Sequence, residues 1–101
     1  MENPYKILLE TFGEDMQFLL AIEEMSELTK AICKYQRKNK TCTENERQKL
    51  IDDILEEVAD VQVNIDQLSY MFGEEKVKEI KDYKIKRALQ RAEKKNNEVK
   101  K

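Results

Sequence analysis

Four carboxylates stand at matching spacings on two stretches of this chain: Glu24 and Glu27 inside AIEEMSEL, Glu57 and Asp60 inside ILEEVADV. Residues three apart share a face of a helix, so each pair aims two oxygen-bearing groups at one spot. Two such helices packed together bring four carboxylates into one place. Like charges cannot share a site uncompensated, so the cluster calls for a cation. Oxygen donors in a chain without histidine suit a hard divalent ion. Mg²⁺ is commonly held by carboxylates together with substrate phosphates. There it neutralises phosphate charge, orients an attacking water and lowers that water's pKa. The chemistry implied is metal-dependent cleavage of a phosphate ester or anhydride.

Chance competes with that reading. With 21 acids in 101 residues, a single acid-x-x-acid pair arises easily, and a merely charged bundle is the alternative. The surroundings of each pair discriminate. On a wheel of about 100° per residue, Leu20, Leu28, Ala31 and Tyr35 bracket Glu24 on both sides. Glu24 is thus inside an apolar arc, Glu27 lies at its edge, and Glu23 lies further out. Asp53, Glu57, Asp60 and Asn64 fall within an arc of about 60° beside a second apolar stripe. Carboxylates intruding on core positions break the binary pattern, and such breaks are more often functional than accidental. Asn64 extends the file either toward a metal or substrate or toward solvent.

The elements that must position these groups are helices. Two Gly and one Pro leave few turn signals, and Lys, Glu, Ile and Leu dominate. Asn3-Pro4 opens a short helix to about Phe12, which Gly13 interrupts. A second helix runs from about Glu14 to Arg37. RKNKTCTEN is a loop, and Thr43-x-x-Glu46 has the form of a capping box for a third helix, about Glu44 to Phe72. Gly73 fits the position just past its end. Leu50, Ile51, Ile54, Val58, Val61, Ile65, Leu68 and Phe72 form the core stripe of the third helix. A fourth helix runs from about Glu74 to Glu93 or beyond, with a basic tail from about Lys94 to Lys101 that is expected to fray. The fold expected is all-α, one domain over residues 1–101, a bundle of about four helices. The wide apolar surface of the third helix predicts completion by a second copy of the chain.

The bulk numbers exclude several classes. No run of about 18 apolar residues exists, so no membrane span is expected. MENPYKILLETF lacks the basic and apolar regions of a signal peptide. Cys33 and Cys42, without histidine, make no Cys/His zinc site, and a reducing, cytoplasmic setting is the simplest fit. Residues 1–73 carry 8 basic and 15 acidic groups, whereas residues 74–101 carry 11 basic and 6 acidic. The basic fourth helix is either a solvated face or an electropositive element for an anionic ligand. Nucleic-acid binding is disfavoured by the net charge of −2.

The paired motif, Glu23-Glu24-x-x-Glu27 followed by Glu57-x-x-Asp60, resembles that of the MazG-type all-α nucleoside triphosphate pyrophosphohydrolases. The short first helix, the basic last one and the string YKIKRALQR resemble small MazG-like proteins of bacteria and phages; together the likeness covers about residues 5–92. It implies hydrolysis of a (deoxy)nucleoside triphosphate to monophosphate and pyrophosphate by a homodimer or homotetramer. It implies Mg²⁺ as cofactor, with Mn²⁺ able to substitute. Glu24, Glu27, Glu57 and Asp60 would be the metal-holding and catalytic residues. Lys84 and Arg87, with Lys81 and Arg91 as neighbours, resemble positions that contact phosphate. Phosphoribosyl-ATP is an alternative substrate, and a non-enzymatic helical oligomer acting as an interaction module is an alternative role.

Overall fold

The computed structural model describes residues 2–99, Val99 by its backbone alone. It is all-α: α1 (Pro4–Phe12), α2 (Glu14–Lys38), α3 (Glu44–Phe72) and α4 (Glu74–Val99), with no strand among the described residues. Among the described residues no helix is long and apolar enough to cross a membrane. The chain divides into two compact units, Met1–Tyr70 and Met71–Lys101. The expectation of a fraying tail meets a helix that continues to Val99; Lys100 and Lys101 lie outside the described residues.

Each helix end has a local cause. The Tyr5 N–H donates to Asn3 Oδ1 at 2.9 Å, and Pro4 occupies the first turn, where no N–H is needed. The Gly13 N–H closes α1 on the Leu9 carbonyl at 2.9 Å, and the Gly13 carbonyl then accepts from the Gln17 N–H as α2 begins. At φ 86°, ψ 164°, Gly13 occupies backbone space open almost only to glycine. Gly73, at φ 136°, performs the same hand-over before α4, its carbonyl accepting from the Val77 N–H.

The turn between α2 and α3 is tied more tightly than its polar sequence suggests. Asn39 donates both its backbone N–H and its side-chain amide to the Tyr35 carbonyl, each at 2.9 Å. Arg47, in the second turn of α3, donates through Nε and Nη2 to the Asn39 carbonyl at 3.1 and 2.6 Å. Its Nη1 pairs with Glu44. Thr43 Oγ1 accepts the Glu46 N–H at 3.2 Å, as in a capping box. The return bond differs, because the Thr43 hydroxyl itself donates to the Glu46 carboxylate at 3.0 Å. One guanidinium therefore joins the last carbonyls of α2 to the start of α3 and fixes the register of the hairpin.

That register carries along the antiparallel pair. Lys38 and Glu46 line one hollow with Lys34 and Leu50, and Glu24 meets Glu57 and Asp60 further up. α1 is held to α3 by polar contacts: Gln67 Nε2 donates to the Tyr5 carbonyl at 2.9 Å, and the Tyr5 hydroxyl donates to Asp66 Oδ2 at 3.1 Å.

The seam is narrow. Ala21 and Leu50 are the buried apolar residues among those described, joined by Gln17 and by Gln67, which is 2% exposed. Part of the stripe expected to be core on α3 stays open, with Val58 36%, Ile65 41% and Phe72 67% exposed. Helices packed along one contact line cover only part of an apolar arc that spans a third of each circumference.

Adding a Cβ at Gly13 meets nothing within 4 Å, so Gly13→Ala should cost conformational energy alone. A loss of about 1–3 kcal/mol is expected by urea denaturation. A loss below about 0.5 kcal/mol would mean that the α1–α2 junction relaxes freely.

Candidate metal centre

Glu24 sits mid-way along α2, and Glu57 and Asp60 mid-way along α3, so rigid helix rather than loop sets their positions. One carboxylate oxygen from each lies within 4.8 Å of the other two. Three of the four expected ligands therefore converge. Glu27 stands beside them: its carboxylate takes the Lys30 ammonium at 3.4 Å and adds to the field on Glu57. Asp53 pairs with Lys49 at 3.7 Å. Asn64 turns its amide back onto its own helix, donating to the Asp60 carbonyl at 2.8 Å. Lys81, Lys84 and Arg87 are exposed side chains of α4, in the second unit.

The electrostatics of the cluster are strained. Partial desolvation, then the Asp60 and Glu57 charges, then Glu23, raise the Glu24 carboxyl above its ordinary value of 4.5, and a hydrogen bond with Asp60 adds to this. Desolvation, then Asp60, Glu27, Glu56 and Asp53, raise Glu57 in the same way. Glu57 Oε2 is shut off from solvent and has no hydrogen-bond partner. An ionised oxygen in that position is costly unless a cation meets it.

The donor set fits a hard cation. It is all carboxylate, with no histidine in the chain and both cysteines outside the cluster. Oxygens on one Mg²⁺ lie about 2.1 Å from the ion, hence at most about 4.2 Å apart. Three oxygens on one octahedral ion include neighbours about 3.0 Å apart, so a set lying within 4.8 Å closes onto the ion by side-chain rotation.

A groove of about 190 Å³ opens beside the cluster, lined by Glu27, Lys30, Lys34, Asp53 and Glu57 among others. The sequence reading did not single out Lys30 and Lys34. The signal that finds them is spacing, since they follow Glu27 at i+3 and i+7, on the face that carries it. No protein-family model, no curated protein and no solved structure matches this chain.

The raised carboxyls set a pH dependence. Between 4.5 and the higher folded values, the folded chain holds protons that the unfolded chain has released. Stability then falls as pH rises through that window. In chelator, Tm should drop from about pH 4.5 toward neutrality, and Glu57→Gln should flatten the drop. Mg²⁺ should restore Tm increasingly as pH rises, because it binds the deprotonated ligands. A Mg²⁺-insensitive Tm across the range would remove the cluster as a cation site.

Proposed function

We propose that this protein is a Mg²⁺-dependent nucleotide pyrophosphohydrolase that converts a (deoxy)nucleoside triphosphate to the monophosphate and pyrophosphate. The observation supporting this reading is the convergence of Glu24, Glu57 and Asp60, two of them with raised carboxyls, beside an open groove that also carries lysines. The likeness of the two acid motifs to the MazG type supports the choice of reaction within phosphate chemistry.

In this reading Glu24, Glu57 and Asp60 hold the cation. The cation supplies stabilisation of the charge that develops on the phosphate oxygens. Water attacks the α-phosphorus, the α–β anhydride bond breaks, and pyrophosphate leaves with the bonding electron pair. The water proton passes to a carboxylate of the site. Glu27 is our choice for that acceptor, because it neighbours Glu57 without belonging to the converging set. The helical seam holds all these groups on rigid elements, which suits a reaction governed by positioning and electrostatics.

We also propose that the working form is a homodimer or homotetramer. Leu19 and Ile22 form an open apolar pair on α2, and Leu55, Val63 and Ile65 are open on α3. Burying each such side chain is worth about 1.5–3 kcal/mol, and a second copy is the partner always at hand.

The test is a panel of canonical and modified nucleoside triphosphates with Mg²⁺, scored for pyrophosphate against orthophosphate. Pyrophosphate release from at least one substrate is expected, abolished by chelation. Glu24→Gln or Asp60→Asn should lower it by at least about 100-fold with helicity retained. Undiminished turnover in Glu24→Gln would overturn the site assignment.

Light scattering should give a mass of at least twice 12.0 kDa. Leu19→Glu together with Ile22→Glu should reduce it toward that of a single chain. A wild-type monomer would contradict the assembly.

A further inference from the structure

The groove beside the carboxylates does not end at Glu57. A second hollow of about 150 Å³ lies toward the α2–α3 turn, and the two share Lys34, Leu50 and Asp53 in their linings. Their charges differ. The hollow next to the cluster carries Glu27, Asp53, Glu56 and Glu57 against Lys30 and Lys34. The hollow next to the turn carries Lys34, Lys38 and Lys49 against Glu46 and Asp53.

In that second hollow the acids are already engaged. Asp53 pairs with Lys49 at 3.7 Å, and Glu46 takes the Thr43 hydroxyl at the start of α3. Lys34 and Lys38 have no ion-pair partner among the described residues. They lie four apart on α2, on one face, and Lys30 continues the same file. A lysine in the last turn of a helix also serves the helix dipole, but Arg37 in the same turn meets that need. Lys34 is a full turn further in, where the dipole requirement has faded.

We propose that this lysine end of the groove binds the pyrophosphate portion of a metal-chelating polyphosphate. The metal-bearing phosphate lies at Glu24, Glu57 and Asp60, the outer phosphates reach Lys34, and Lys38 adds positive charge beyond them. The distances suit that arrangement. Lys34 is ten residues beyond Glu24, or about 15 Å along the helix at 1.5 Å per residue, a gap that a chelated cation, a diphosphate and an extended lysine side chain together span. A ligand with a chelated cation at one end and free phosphate oxygens at the other matches the change from acid to base along the groove. The proposal rests on the pyrophosphohydrolase reading and adds a direction to it. The leaving group points toward the α2–α3 turn, and the nucleoside toward the N-terminal half of α2. Phosphate binding then begins with α2's own lysines, within the unit that holds the cluster.

Calorimetric titration of the full chain with inorganic pyrophosphate in Mg²⁺ tests this. Lys34→Glu with Lys38→Glu should weaken binding at least about tenfold, the scale of losing charged hydrogen bonds to phosphate. Arginine at both positions should retain it. Lys40→Glu changes charge equally, in the turn outside the groove, and should cost less than about threefold, as expected of a screened surface charge. Titration with Mg²⁺ alone should be unchanged by the paired substitution. No pyrophosphate binding by the wild type, or equal losses from Lys40→Glu and from the paired substitution, overturns the proposal. Nucleoside triphosphate turnover separates the two ideas. Turnover indifferent to Lys34 and Lys38 sinks the subsite and leaves the reaction standing. Lysine-dependent pyrophosphate binding without turnover sinks the reaction and leaves the subsite.

Discussion

Mutual repulsion among Glu24, Glu57 and Asp60 is the constraint that the rest of the first unit must oppose. Three carboxylates within 4.8 Å, one oxygen of Glu57 cut off from water and from any partner, raise the energy of the folded chain. Something else must hold α2 against α3. The turn does so from one end, where Arg47 donates twice to the Asn39 carbonyl and Asn39 donates twice to that of Tyr35. From the other end α1 is bonded to α3 through Tyr5, Asp66 and Gln67. Between these anchors Ala21 and Leu50 are buried in the seam. The small side chain of Ala21 lets the helices approach one turn away from Glu24, and close approach is what forces the carboxylates together.

The same economy explains the open apolar surface. A seam thin enough to leave carboxylates at its margin does not cover Leu19, Ile22 or Leu55. In the proposed assembly the open apolar faces would meet another copy, and hydrophobic burial and the polar site would then lie on different faces of the same helices.

Most of the secondary structure was legible because the punctuation is chemical. Asn3-Pro4, Gly13, Thr43 and Gly73 each act within a turn of their own position, and the helices begin and end where these residues dictate. The intrusion of Glu24 into an apolar arc was legible for a similar reason, since helix geometry alone fixes what lies three and four residues away. What escaped depends on residues far apart in the chain. Gln67 reads as a polar gap in a helix until Tyr5, 62 residues distant, supplies the carbonyl that it bonds. Lys34 reads as one basic residue among 19 until the hairpin sets it opposite Leu50 and Asp53. Glu27 matches the motif, and its pairing with Lys30, one turn on, is likewise not read from the motif. Val58, Ile65 and Phe72 fit the period of a core stripe and are exposed, because periodicity reports which face is apolar and not how much of it a neighbour covers.

The order of charges along α2 is the feature that ties these points together. Acids at Glu23, Glu24 and Glu27 give way to Lys30, Lys34 and Lys38 within four turns of one helix. For stability alone, the lysines would serve best spaced to neutralise the acids across the hairpin. Lys30 and Lys49 neutralise Glu27 and Asp53 only within their own helices, at 3.4 and 3.7 Å. Glu24, Glu57 and Asp60 receive no such partner among the described residues, and neither do Lys34 and Lys38. A helix that needed only to fold would gain by bringing those two sets together. Keeping them apart leaves an uncompensated negative site and an uncompensated positive one, beside hollows that share Lys34, Leu50 and Asp53. That separation has a physical rationale if the compensating charges arrive with a ligand, a cation for the first set and phosphate oxygens for the second.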